Sequence, residues 1–320
     1  MSENKVRGAA IVKLVVWLVV LAILCPIFIF AMESDFLDDI VHGYNFSLIG
    51  GDYYKDADSY NVGEFEYGEQ ITGIDIDWVG GKIEIVVYDG DTVKLEEENE
   101  GTDRDDWMRS KVENGRLVIK HVKSGMFFFH SSPTKNLKVY LPGEVAENLG
   151  AVSIDSVSSD IQIEAVAAGK IDISTVSGNL KLNNVNVGTL DIDGTSNESI
   201  LNNITVGEID IDTTSGSTLI SSGAVGKINF DSVSGDLEIR TSTMPTSVEG
   251  DTTSGNFILY TPFSEEGFRA ESDSVSGDMN VWFADGKKMS GNSLVVGNGR
   301  YSYEFDSTSG NFTITETEMN

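Results

Sequence analysis

A nine-residue phrase, clearest as Asp231–Ile239 (DSVSGDLEI), returns eight times in the second half of the chain. Its first residue falls at Asp155, Ser174, Asp193, Asp212, Asp231, Asp251, Asp273 and Asp306, in steps of 19, 19, 19, 19, 20, 22 and 33 residues. Self-similarity at a period near 20 residues marks a stacked array, in which no unit buries its apolar face alone. Counting that first residue as zero, positions −3 and −1 are apolar in most units, as in Ile171 and Ile173, Leu190 and Ile192, or Tyr303 and Phe305. Gly250, Ala270 and Ser272 are the small residues in these columns. Alternation with period two turns both positions inward and leaves −2 and zero outward.

Position +3 is serine in all eight units, and +4 is glycine in six, with Ser159 and Asn197 in the other two. Glycine and asparagine tolerate positive φ, so the chain turns a corner there. A second short strand follows at +6 and +8, as in Leu180 and Leu182 or Leu237 and Ile239, although Ser199 and Thr218 break the +6 pattern. Val187-Gly188, Val206-Gly207 and Val225-Gly226 close the early units. The expected fold is therefore all-β, a parallel β-solenoid of about eight or more coils of 19–22 residues. Equivalent residues stack about 4.8 Å apart, so eight coils give a rod about 35–40 Å long. The pattern leaves handedness open.

The segment ahead of the repeats divides by composition. Leu14–Met32 is an uninterrupted apolar run of 19 residues, about 28 Å as a helix and close to the thickness of a bilayer core. Lys5, Arg7 and Lys13 precede it, while Glu33, Asp35, Asp38 and Asp39 follow. The positive-inside rule puts residues 1–13 in the cytoplasm and everything after the run outside. Ile29 and Ala31 make a poor cleavage site, and Leu24 before Cys25 is too large for a lipoprotein signal, so 14–32 reads as an uncleaved anchor. Residues 33–70 read as a juxtamembrane spacer.

Residues 71–150 read as a β region continuous with the solenoid at 151–320. Ile74–Trp78 and Lys82–Val87 alternate and are expected as strands joined by a tight turn at Gly80-Gly81. Further strands are expected at 92–96, 116–121 and 136–141, with acidic Glu96–Asp106 as a solvated loop. Met126–Phe129 (MFFF) reads as a buried lid. The long last step of the repeat holds an insertion, 282–299, expected to cover the open end of the stack.

These features resemble a family of bacterial putative adhesins with a domain of unknown function. The residues that carry the resemblance are the Ser-Gly-Asp/Asn-apolar repeats, Asn136–Pro142 (NLKVYLP) just before the first repeat, and Gly297–Tyr301 (GNGRY) leading into the last, over about 71–315. Ser159 and Asn197 depart from its glycine position. The resemblance implies a β-solenoid facing the cell envelope, in some members tied to envelope-stress systems, and supplies no catalytic motif.

The charge narrows function. With 22 Lys plus Arg against 51 Asp plus Glu, the formal charge is −29, which repels nucleic acid and anionic lipid surfaces. Outward acids at −2 and zero, notably Asp191, Asp193, Asp210 and Asp212, form ladders with which calcium, an oxygen-seeking cation, is the one plausible cofactor. The plainer reading is that the zero-position Asp caps its turn and the −2 acids are solvated. A serine nucleophile needs a base within reach, yet His42, His121 and His130 all precede the repeats and read as surface or strand residues. The chain is thus expected to be a membrane-anchored, extracytoplasmic binding or scaffold module, not an enzyme, with an envelope glycan or a membrane protein as partner. The alternatives are an envelope-stress regulator acting through a membrane partner, or a β-helix carbohydrate-active enzyme, against which the recurrence of the acids in every coil argues.

Overall fold

The computed structural model describes residues 57–98, 103–123 and 134–317. The predicted anchor at 14–32, the Met126–Phe129 lid, Cys25, His42 and His130 lie outside the described residues. Among the described residues no helix is long and apolar enough to cross a membrane, and all of them fall within one compact unit.

The period-two alternation has its expected consequence. The described strands join in a single sheet whose parallel ladders wind into stacked coils. One register line runs Ile76, Ile154, Ile173, Ile192, Ile211, Phe230, Gly250, Phe305 and Ser272, each paired with the next. A second, past the corner, runs Ile83, Ile161, Leu180, Ser199, Thr218, Leu237, Phe257, Phe312 and Met279. Apolar side chains of both lines are almost wholly buried between the legs of each coil. At roughly 1.5–3 kcal/mol per buried Ile, Leu or Phe, neighbouring coils offset the cost of ordering that one coil could not meet. The coil closes at a second corner, where Ala165, Asn184 and Asn203 take positive φ of 58°, 55° and 50° and the next residues, Val166, Val185 and Ile204, turn inward.

Two features differ from expectation. First, Gly73–Tyr88 is one strand bent at Gly80–Gly81, not two strands of a tight turn, and it pairs in parallel with Leu149–Glu164. It is a repeat unit in its own right, with Asp77 at position zero. Its other side pairs in parallel with Arg116–Lys120 and Asn136–Pro142, so those strands form a further coil whose corner is expanded by the residues between them.

Second, chain order and stacking order part company at both ends. The chain enters in the coil at 73–88, passes outward to the coil at 116–142, and returns to the inner side at 149. At the opposite end, Tyr301–Ser309 and Phe312–Glu316 insert between the coil at 247–261 and the coil at 268–282. The last repeat in sequence is the penultimate coil in space.

Both outer coils carry antiparallel covers. Arg109–Glu113 pairs with Arg116–Lys120, and Val93–Glu98 runs along Asn136–Tyr140. At the other end Ser293–Val296 pairs with Phe268–Glu271, and Lys288–Ser290 with Asn280–Trp282. Such covers keep strand edges from templating association. The acidic stretch from Glu96 is accordingly not all solvated loop, because strand Val93–Glu98 continues into it and Glu97 is buried.

Candidate binding surfaces

The serine-glycine corner owes its shape to close backbone approach. Gly216 sits at φ +139°, and a Cβ there would lie 1.8 Å from the carbonyl oxygen of Asn197 in the coil below. The +4 N–H then donates to the +3 carbonyl of the next coil, as from Gly216 to Ser234 and from Gly235 to Ser254, both at 3.3 Å. In the two coils without glycine the side chain turns inward instead. Ser159 is buried with its hydroxyl 2.7 Å from Ser156 Oγ, and Asn197 Nδ2 donates to Ser199 Oγ at 3.0 Å. That bond satisfies one of the two polar residues that break the apolar +6 column.

The corner is capped from position +5. Asp236 Oδ1 accepts from Asn256 N at 2.7 Å, Asn256 Oδ1 from Asn311 N at 3.3 Å, and Asn311 Oδ1 from Asp278 N at 3.0 Å. Asp160 does the same for Asn179 at 2.8 Å. A short carboxyl or carboxamide one residue beyond the glycine reaches the neighbouring coil, which ties the stack together along its corner. The result is an open groove of about 500 Å³ across five coils, lined by Ser234, Ser254 and Ser309 and by Asp236, Asn256 and Asn311.

The zero-position acids form a separate ladder on the outer face of the first leg. Asp193 pairs with Asp212, Asp212 with Asp231, Asp231 with Asp251, and Asp251 with Asp306. Each reaches solvent, yet crowding against the sheet, followed by repulsion from neighbouring carboxylates, raises the pKa of Asp193, Asp212, Asp231 and Asp251 above the ordinary 3.8. In the −2 column Asp191 stands in register with Asp210. Lys170 Nζ bridges Asp172 at 2.9 Å and Asp191 at 2.6 Å, which holds the ammonium pKa up. Asp191, Asp193, Asp210 and Asp212 are therefore neighbours across two coils, but among the described residues no three His, Cys, Asp or Glu side chains converge as a metal cage.

His121, the histidine among the described residues, is not on the surface. His121 is buried with its ring edge-on to Trp78 at 4.6 Å, far in sequence from every repeat serine. It belongs to a buried polar cluster without a local sequence signature. Lys135 Nζ donates to Glu97 Oε1 at 2.5 Å, to the Asp106 carbonyl at 2.6 Å and to the His121 carbonyl. Both Glu97 oxygens accept from Met108 N at 3.0 Å, and Trp78 Nε1 donates to the Lys135 carbonyl at 3.0 Å. Burial pushes the Lys135 pKa down, opposed by Glu97. With three acceptors on the ammonium, the group is a fastening for the expanded corner and not an available nucleophile.

Solved bacterial structures align with the chain. A putative adhesin from Bacteroides fragilis aligns over 80% of this chain and 97% of its own, with 10% identity and a TM-score of 0.47. A putative lipid binding protein from Parabacteroides distasonis aligns over 81% and 97%, with 15% identity and a TM-score of 0.46. A putative adhesin from Parabacteroides merdae aligns over 81% and 96%, with 13% identity and a TM-score of 0.37. No curated protein matches the chain. The profile of Toastrack DUF4097 matches residues 71–315, the span that holds the coils, their corner groove and both covered ends, and the chain belongs to that family.

Proposed function

We propose that the protein is a membrane-anchored, extracytoplasmic binding module of adhesin type, not an enzyme, whose corner groove takes an extended envelope glycan. The observation that carries this reading is the groove itself, lined by a serine hydroxyl from each of five coils together with the Asn256 and Asn311 carboxamides and the Asp236 carboxyl. A surface that repeats at about 4.8 Å suits a ligand that is itself a chain, because each added unit meets an equivalent set of donors and acceptors. The flanking acid ladders disfavour anionic polymers and leave neutral or basic ones. The apolar run at 14–32 and its flanking charges support the anchor.

The test uses the full chain in nanodiscs with neutral envelope glycan fragments of graded length. Affinity should rise with length until the fragment spans the groove, roughly 20 Å. Ser254→Tyr, which fills the groove from an exposed position, should abolish the rise. Binding that ignores both length and Ser254→Tyr overturns the reading. Replacing the anchor with an unrelated transmembrane helix separates it from a regulator that works within the bilayer, since glycan binding should survive the exchange.

A further inference from the structure

The outermost coil at the C-terminal end of the stack, Phe268–Trp282, is covered on its two legs but not at its corner. Ser293–Val296 pairs with it as far as Glu271, and Lys288–Ser290 pairs from Asn280 onward. The turn between those covers bonds only the flanks, with Ser272 N donating to the Asn292 carbonyl at 3.0 Å and Gly291 N to the Met279 carbonyl at 3.4 Å. Asp273–Asp278 is thus paired on one side alone, by the coil of Asp306.

In inner coils this same corner is closed on both sides. Gly255 N donates to the Ser309 carbonyl at 3.2 Å, and each +5 side chain accepts an N–H from the coil above. At the outer coil the equivalent groups, Gly277 N–H and the Asp278 carboxylate, have no such partner among the described residues. Beside them Val275 is 86% exposed, against 53% for Val233, the next most exposed large apolar side chain. An unpaired donor, an unpaired acceptor and a bare valine therefore meet, among the described residues, at a stretch of edge that these covers leave open.

We propose that this corner is a docking edge for an extended, basic segment of a partner protein, which adds as a further parallel strand across Asp273–Asp278. Strand addition supplies backbone bonds, and the alternate side chains supply selection. Glu271, Asp273 and Asp278 make the edge acidic, so a basic segment is attracted to it. A second copy is a poorer occupant. Its opposite end presents the covering strands 94–98 and 109–113, and its equivalent end would set these three carboxylates against their own copies. The inference is independent of glycan binding in the groove.

The experiment uses the full chain in detergent and a fluorescent peptide copying residues 231–239 with lysine in place of Asp231, Asp236 and Glu238. The peptide should bind saturably and slow hydrogen exchange at the amides of 273–279. Val275→Lys, at a position exposed enough to spare the fold, should weaken binding by more than about tenfold through repulsion of the peptide lysines and lost contact, at about 1.4 kcal/mol per tenfold. Val233→Lys adds the same charge to the same column of an inner coil and should leave binding unchanged. Absence of binding at millimolar peptide, equal effects of the two variants, or protection away from 273–279 overturns the proposal. So does a concentration-dependent dimer that Val275→Asp abolishes, which would assign the edge to a second copy.

Discussion

Lys135 and Glu97, 38 residues apart in sequence, meet at 2.5 Å in a site where both side chains are essentially shut off from solvent. The pair joins the covering strand Val93–Glu98 to the start of Asn136–Pro142 and so pins the cover on the outermost N-terminal coil. Removing one partner leaves an uncompensated buried charge, at about 3–5 kcal/mol, whereas replacing both with apolar residues of similar volume is often close to neutral. Lys135→Met should therefore destabilise the domain strongly, and Lys135→Met combined with Glu97→Leu should recover most of the loss. Denaturant unfolding, with hydrogen exchange over 93–122 to catch local opening, checks both.

The zero-position ladder gives the protein an acid-side gain in stability. The folded pKa values of Asp193, Asp212, Asp231 and Asp251 lie above the ordinary 3.8, so the folded state binds more protons than the unfolded chain between 3.8 and the raised values. Stability from these groups then falls as pH rises through that window, and their full penalty is present at neutral pH. Because the side chains reach solvent, screening limits the size of the effect. Melting temperature should rise as pH is lowered from neutral into the window between the raised pKa values and 3.8, and Asp212→Asn, which removes a charge flanked by Asp193 and Asp231, should raise stability at pH 7 and flatten the dependence.

The corner glycines should be intolerant in a way that exposure alone would not suggest. At Gly216 a methyl group would strike a backbone carbonyl in the adjacent coil, and the φ of +139° is strained for any side chain. Gly216→Ala should cost more than about 1 kcal/mol. Gly143→Ala meets nothing within 4 Å at the start of a short helix and should be neutral or slightly stabilising. Chemical denaturation of the two variants side by side makes the comparison.

The repeat made the coil legible because every element of it is local: an alternation, a corner glycine, a second alternation. Asp236 and Asp231 look equally fit to cap until the neighbouring coil is in place, where the +5 side chain of Asp236 accepts the Asn256 N–H. The coil at 73–88 was hidden because it lacks the serine of the phrase, carrying Gly80 and Gly81 at the corner. The buried pair of Glu97 and Lys135 has no spacing rule, being set by a covering strand and a segment 38 residues on that meet in the folded stack. Stacking order was the deepest omission. A parallel ladder accepts any coil with matching period, so sequence order alone does not say which coils are neighbours.

Side-chain size does carry that information at the C-terminal end. In sequence, Gly250, Ala270 and Ser272 look like failures of the apolar columns. In stacking order the −1 column runs Phe230, Gly250, Phe305, Ser272, with the large ring of the last repeat seated between two small residues. A Cβ on Gly250 would lie 3.0 Å from Phe305 Cδ2 and 3.3 Å from Phe257 Cδ1. In the −3 column Tyr303 likewise lies beside Ala270, stacks on Phe268 at 4.7 Å, and donates its buried hydroxyl to the Pro245 carbonyl at 3.0 Å. Gly250→Val should therefore overpack the core and destabilise it by about 1–3 kcal/mol. Phe305→Leu alone should also destabilise, by opening a cavity beside Phe257 and Phe312. The double variant should be more stable than the sum of the two losses, because the smaller side chain makes room for the valine. A double-mutant cycle that returns simple additivity would mean that residues 250 and 305 do not touch, and that the last repeat stacks elsewhere.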